Sequence, residues 1–218
     1  MRNLVSLEAV DYLAIGHVAH DLTANGPRLG GTVAYSALTA RALGMKAGIL
    51  TAVGKETPLD ALDGIPILSV ESSRSTTFEN MYTKEGRVQY VRAQASRIGF
   101  DSVPKSWRRA AIVHLAPIAN EMDSSLPDDF SPALLGVTPQ GWMRKWDADG
   151  RVSRSEWLNP ESILQKANAV VISREDVNGD HELIEHMAHQ TRMLVVTEGA
   201  EGCVLYWNGD RRRFRAPE

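Results

Sequence analysis

The chain has 218 residues, with 24 lysines and arginines against 27 aspartates and glutamates, so its formal net charge is −3. That balance excludes the basic footprint of a nucleic-acid-binding surface. A content of 43% hydrophobic and 23% charged residues excludes the profile of a disordered chain and, at this length, predicts one self-supporting core across residues 1–218.

Cys203 is the sole cysteine, which rules out an intramolecular disulfide and a cysteine-based zinc site and points to the reducing cytoplasm. The first 20 residues lack the pattern of a secretory signal. No apolar run approaches the roughly 20 residues of a membrane helix, so no membrane role is expected.

In chain order, Tyr12-Leu-Ala-Ile15 predicts a short buried strand that opens onto a loop at Gly16. Val33, Ala34, Ala37, Leu38 and Leu43 recur at helical spacing over 32–43, and Gly44 stands where a helix C-cap is expected. Strands follow at 47–53 and 65–70. Residues 76–82 and 88–91 predict a hairpin turning at Lys84-Glu85-Gly86, set apart from the main sheet. Short apolar runs at 111–115, 134–137, 169–172 and 193–197 alternate with polar or helical segments. Leu183, Ile184, Met187 and Ala188 form a helical stripe between the last two runs. Such alternation predicts a mostly parallel sheet with helices on both faces. Residues 204–207 and 211–215 flank Asn208-Gly209, the signature of a hairpin with a type I′ turn. Residues 138–159, with Trp142, Trp146 and Trp157 among charged neighbours, read as an insertion.

Several motifs dissolve on inspection. His181-Glu182 through His186 looks like a zinc-protease helix, but the second histidine falls at i+5, off the shared face. His17, His20 and Asp21 lack a fourth metal ligand nearby. Gly136 through Gly141 has Walker A glycine spacing, yet Trp142-Met143 replaces the lysine and hydroxyl residue that the motif needs. Gly199 through Gly202 follows a strand, but no helix opens there to hold a dinucleotide. Arg211-Arg212-Arg213 reads as a solvated hairpin. Gly30-Gly31 remains open between a simple helix-entry turn and a site of close ligand approach. The Asp21 carboxylate just past a strand end favours the second, with a polyol as the fitting ligand.

Taken together, Ala14-Ile-Gly-His-Val-Ala-His-Asp21, Leu29-Gly-Gly-Thr-Val-Ala-Tyr-Ser-Ala37 and Leu43-Gly44 through Gly54 resemble the opening of the PfkB (ribokinase-like) carbohydrate kinases. Val170-Val-Ile-Ser-Arg-Glu-Asp176 is similar to the strand leading into that family's Asn-x-x-Glu motif. Val195 through Tyr206 is similar to its Thr-x-Gly-x-x-Gly strand and turn, and Gly136-Val-Thr-Pro-Gln-Gly-Trp-Met-Arg144 resembles the inositol kinase-like branch.

The resemblance implies an α/β, ribokinase-like three-layer sandwich with a mostly parallel central sheet and a small β lid from about 22–30 and 76–93. It also implies transfer of a phosphoryl group from ATP with Mg²⁺ to a hydroxyl of a small sugar or polyol. Asp21, Gly30, Gly31 and Tyr35 then fall on the acceptor site, and Thr197, Gly199 and Gly202 on the nucleotide turn. Asp176 falls on the acid that organises Mg²⁺ through water. Three departures stand out. Tyr35 replaces a substrate-binding asparagine, and Ser173-Arg-Glu-Asp176 replaces Asn-x-x-Glu. The family's Gly-Ala-Gly-Asp motif, with its catalytic base and anion-binding helix, is missing, since no Gly-x-Gly-Asp occurs in the 218 residues. The expectation is therefore a C-terminally truncated kinase, inactive by itself and with no catalytic residue of its own. One sheet face should lie bare and invite self-association, a homodimer included. A non-catalytic sugar- or polyol-binding protein and a nucleoside kinase are the competing readings.

Overall fold

The computed structural model describes residues 8–23, 26–83, 86–124 and 132–217. Its central sheet is nine-stranded. Four strands form its first half: β1 (Tyr12–Ile15), β4 (Ala47–Ala52), β5 (Ile67–Val70) and β8 (Ile112–Leu115). Five complete it: β9 (Leu134–Val137), β12 (Ala169–Ser173), β13 (Met193–Thr197), β14 (Cys203–Trp207) and β15 (Asp210–Phe214). Their spatial order is β15-β14-β13-β12-β9-β8-β1-β4-β5. Every pairing from β5 to β13 is parallel, and β14 and β15 close one edge antiparallel. Short apolar strands joined by crossovers dictate this arrangement, because parallel neighbours cannot be joined by tight turns.

Helix α1 (Thr32–Ala42) lays Val33, Ala34, Ala37 and Ala40 on one face, against Ala14, Ala47 and Ile49. The opposite face carries the larger core. There Leu13, Ile15, Val113, Val170, Ile172, Leu194 and Val196 pack with α2 (Glu161–Leu164), through Ile163 and Leu164. Helix α3 (His181–Gln190) adds Ile184 and Met187 to the same core. Asp180 caps α3 by accepting from the Leu183 backbone N–H at 3.0 Å. His181, Glu182, Glu185 and His186 are exposed, as a solvated helix face requires.

A second, four-stranded sheet stands apart in the order β3-β2-β6-β7, built from β2 (Ala19–Leu22), β3 (Arg28–Gly30), β6 (Thr76–Thr83) and β7 (Gly86–Ala93). Two expectations need correction here. The loop after β1 covers only residues 16–18, because Ala19–Leu22 pairs with Thr76–Glu79 in parallel and with Arg28–Gly30 in antiparallel. The lid therefore starts at residue 19 rather than 22. Nor are residues 138–159 an insertion: Trp142 and Trp157 are buried and stacked with centroids 5.2 Å apart, beside a small ribbon of β10 (Arg144–Trp146) and β11 (Val152–Arg154). Residues 84 and 85 of the proposed lid turn lie outside the described residues. The β14–β15 hairpin turns at Asn208 (φ 51°) and Gly209 (φ 78°), both left-handed as a type I′ turn demands.

The layering is uneven. Among the described residues α1 is the one helix on its face. It reaches β1 and β4 but leaves Val171, Val195 and Leu205 half-buried and Leu134 48% exposed. No helix of the described residues is long and apolar enough to cross a membrane.

Candidate functional site

Two cavities lie at the C-terminal ends of the parallel strands and meet under the lid. The smaller, about 210 Å³, is lined by Asp21 of β2, Gly31, Thr32 and Tyr35 at the start of α1, and Asn80 and Gln89 of the lid. Its size falls below the ~300–1,000 Å³ usual for drug-sized ligands, which restricts it to a compact molecule.

The backbone is bare here for a steric reason. A Cβ on Gly30 would lie 2.3 Å from a carboxylate oxygen of Asp21, and one on Gly31 (φ 90°) would lie 2.4 Å from the His17 carbonyl oxygen. Gly31 also leaves α1 without a side-chain cap. The amide end of the helix, which carries partial positive charge and donors without intrahelical partners, therefore borders the cavity. Burial pushes the Asp21 carboxyl above the usual range, and the positive charges of Arg87, His20 and Arg144 offset that only in part. Tyr35 is 61% exposed and donates its hydroxyl to the Leu29 carbonyl at 3.1 Å, so its ring forms a rim rather than a floor.

The larger cleft is lined by Ser173 and Asp176 at the end of β12 and by Thr197, Gly199 and Gly202 at the end of β13. Asp176 is fixed on both oxygens. One accepts from the Gln140 side-chain amide at 3.0 Å and the other from the Ser173 backbone N–H at 2.9 Å. Arg144 approaches to 3.9 Å. Arg144 itself is 12% exposed, and burial lowers its pKa to about 10 despite the neighbouring Asp176.

No group of three or more histidine, cysteine, aspartate or glutamate residues able to hold a metal occurs among the described residues. Asp176, with both oxygens already hydrogen-bonded, would meet a Mg²⁺ ion through water.

The sequence-selected residues thus fall into two groups: Asp21, Gly31 and Tyr35 line one cavity, with Gly30 against the Asp21 carboxylate, while Asp176, Thr197, Gly199 and Gly202 line the other. What sequence reading missed is the seam. Arg87 and Gln140 line both cavities, and Arg144 lines the Asp21 cavity and the wider arginine-bearing extension of the cleft. Gln140 and Arg144 sat in the Gly136–Arg144 block, whose pattern was visible although their roles were not. Arg87, on a lid strand, left no signal.

Glu121 was also missed. Its buried carboxylate accepts backbone N–H groups of His17 (2.9 Å), Ile118 (2.9 Å) and Ala119 (2.7 Å), pinning the loops that floor the small cavity. His17 is a core residue bonded to Thr76 (2.6 Å) and to the Ser96 carbonyl (2.8 Å), tying the lid to the main sheet.

No family model matches the sequence. A cytidine kinase of Thermococcus kodakarensis is 25% identical over 230 residues, covering 95% of this chain and 79% of the relative. Among solved structures, a pyrophosphate-dependent kinase of the ribokinase family, complexed with a pyrophosphate analog and myo-inositol, superposes with a TM-score of 0.75 at 20% identity. That match covers 94% of this chain and 79% of the other. The ribokinase of Arabidopsis thaliana, complexed with ribose and ATP, gives 0.62 at 13% identity over 95% and 78%. The fold is ribokinase-like, and its structural neighbours are kinases of the PfkB and ribokinase group.

Proposed function

We propose that the chain holds a small sugar or polyol in the Asp21 cavity and a phosphoryl donor in the adjoining cleft, the arrangement of a PfkB-type carbohydrate kinase that phosphorylates an acceptor hydroxyl. The observation that carries this reading is that both cavities share Arg87 and Gln140, so two ligands would meet end to end. Asp21 accepts hydrogen bonds from acceptor hydroxyls, and the uncapped amides of α1 donate to acceptor oxygens. Arg87 and Arg144 lie where charge builds on a phosphoryl group in transit, and the lid keeps water from competing for it. Thr197, Gly199 and Gly202 offer backbone to donor phosphates. Asp176 would hold Mg²⁺ through waters, and the ion would supply charge neutralisation of the donor. The resemblance implies ATP as that donor.

The 218 residues contain no Gly-x-Gly-Asp, and the loss of one anion-hole donor alone can cost about 10²–10³ in rate. Binding rather than turnover is therefore the property to measure on this chain. The bound myo-inositol of the neighbouring structure supports a polyol acceptor, and the cytidine kinase relative keeps a nucleoside acceptor as the second reading. Calorimetric titration with myo-inositol, ribose, a ketodeoxy sugar and cytidine tests both. Binding of an inositol or sugar that weakens about tenfold or more in Asp21→Asn is expected. Saturable binding of none of these compounds would sink the proposal, and binding of cytidine alone would transfer it to nucleosides.

A further inference from the structure

We propose that the turn at Asp147–Gly150 is a strap that holds the lid over the acceptor cavity, which makes Gly150 and Arg92 positioning residues for acceptor binding, a role that rests on the kinase reading. Neither residue is among those lining the two cavities. The lid offers an edge to be tied. Its outermost strand, β7, pairs within the four-stranded sheet on one side only, with β6, and such an edge presents its backbone groups to whatever lies beside it. The β10–β11 ribbon takes that place. Val91 donates its backbone N–H to the Gly150 carbonyl at 2.8 Å, and Tyr90 faces Arg151 in an antiparallel bridge. Side chains double the join. Arg92 donates to the Asp149 carbonyl at 3.2 Å and is held in position by Glu79 at 2.6 Å and by the face of the Tyr90 ring, 4.5 Å away.

The turn is shaped in advance for this contact. The Asp147 carboxylate accepts from the backbone N–H groups of Asp149 at 3.0 Å and Arg151 at 2.9 Å, and Gly150 donates to the Asp147 carbonyl at 3.0 Å. A three-residue hairpin loop ends on left-handed backbone, which Gly150 supplies with φ 85°. That alone would admit asparagine. The lid adds a stricter demand, because a Cβ at position 150 would lie 2.3 Å from the Val91 carbonyl oxygen. Asp147, Ala148 and Asp149 are accordingly exposed, whereas Gly150 is buried.

The strap reaches from the core to the cavity wall. The ribbon is rooted by Trp142 and Trp157, which flank it and stack in the large core, and by the Ser155 N–H donating to the Met143 carbonyl at 2.8 Å. Trp146 and Val152 of the ribbon and Val91 of the lid pack on one cluster around Phe78, Ile118 and Ala119. Arg87, Gln89 and Val91 alternate along β7 and so share one face, from which Arg87 and Gln89 line the acceptor cavity. Fixing Val91 therefore fixes that wall. A ligand's apparent affinity falls with the fraction of molecules whose binding wall is in place, so an untied lid binds the acceptor less tightly.

The test is surface plasmon resonance of the 218-residue protein with myo-inositol, which separates association from dissociation, with melting curves to check folding. Gly150→Asn keeps the hairpin, since asparagine tolerates left-handed backbone, but sets a Cβ against the Val91 carbonyl. It should weaken binding about tenfold through faster dissociation with association no slower, because an untied lid opens more readily over an intact cavity. Arg92→Gln, which loosens the strap from the lid side, should do the same several-fold. Unchanged affinity in both variants, or a loss carried by slower association, would overturn the strap; should Gly150→Asn fail to fold, an unchanged dissociation rate in Arg92→Gln would do so alone. Hydrogen exchange of the unmodified, ligand-free protein gives a readout that needs no acceptor. The Val91 amide should be as protected as the amides paired between β6 and β7, and exchange at the rate of an exposed amide would also overturn the strap. Binding of none of the acceptors by the unmodified protein would fall on the kinase reading instead.

Discussion

Asp21 is held in a place that does not suit its charge. Its pKa in the folded protein lies above the ordinary value of 3.8 because burial outweighs the nearby cations. A carboxyl raised in this way favours folding below its ordinary pKa and loses that contribution as pH rises through the folded value, so at neutral pH the ionised group opposes folding. Asp21→Asn should therefore raise the melting temperature of the free protein while abolishing the further rise caused by saturating polyol. Thermal melts with and without myo-inositol measure both, and a lower melting temperature for the free variant would contradict the electrostatic reading. His114 works with the opposite sign. Burial lowers its pKa to about 4 from 6.5, and it bonds to the Tyr12 hydroxyl at 2.6 Å and to Thr138 at 3.2 Å. The unfolded chain binds the proton first, so stability should fall as pH drops from 6.5 to about 4. That slope should flatten in His114→Gln, as urea midpoints across the range would register.

At the scale of elements, two local features bear directly on stability. The β14–β15 hairpin depends on left-handed backbone at Asn208 and Gly209. Gly209→Val should cost roughly 1–2 kcal/mol in urea unfolding, because a β-branched side chain clashes in that conformation. Trp157 stacks on Trp142, whose indole N–H donates to the Met122 carbonyl at 2.8 Å. Trp157→Ala should cost about 3–5 kcal/mol, the range for emptying a large aromatic site. The lid responds differently. Its strand β2 is held between β3 and β6, and His17 and Glu121 anchor the loops beneath it. Damage there should therefore appear as lost acceptor affinity before lost fold.

At the scale of the whole molecule, the dominant feature is the side of the large sheet that, among the described residues, α1 covers only in part. Val171, Val195 and Leu205 lie beyond the reach of α1, and Leu134 is open to solvent. Contiguous apolar surface of this kind drives association. The chain by itself is expected to form dimers or larger species whose proportion rises with concentration, as light scattering behind size exclusion would report. Val195→Lys should shift it toward monomer. A concentration-independent monomer that melts in one cooperative step would show that this face needs no partner.

The β1–α1–β4 unit, the lid hairpin and the Asn208-Gly209 turn were legible in the sequence because each rests on local periodicity or turn chemistry. Short motifs near strand ends also singled out Asp21, Gly31 and Tyr35, which line one cavity, and Asp176, Thr197, Gly199 and Gly202, which line the other. The strand at 19–22 was not legible, since Ala-His-Asp-Leu has little strand character and is fixed by its pairing with residues 76–79. Nor could the sequence show that Trp142 and Trp157 stack, that Glu121 joins the amide of distant His17 to those of its own loop at Ile118 and Ala119, or that Arg87 and Arg144 both line the Asp21 cavity and the wider cleft. Composition and spacing determined an α/β fold class with a mostly parallel sheet. Which charges line the two cavities was decided only when remote segments were brought together, because a side chain's partners across a sheet carry no trace in its own neighbourhood of the chain.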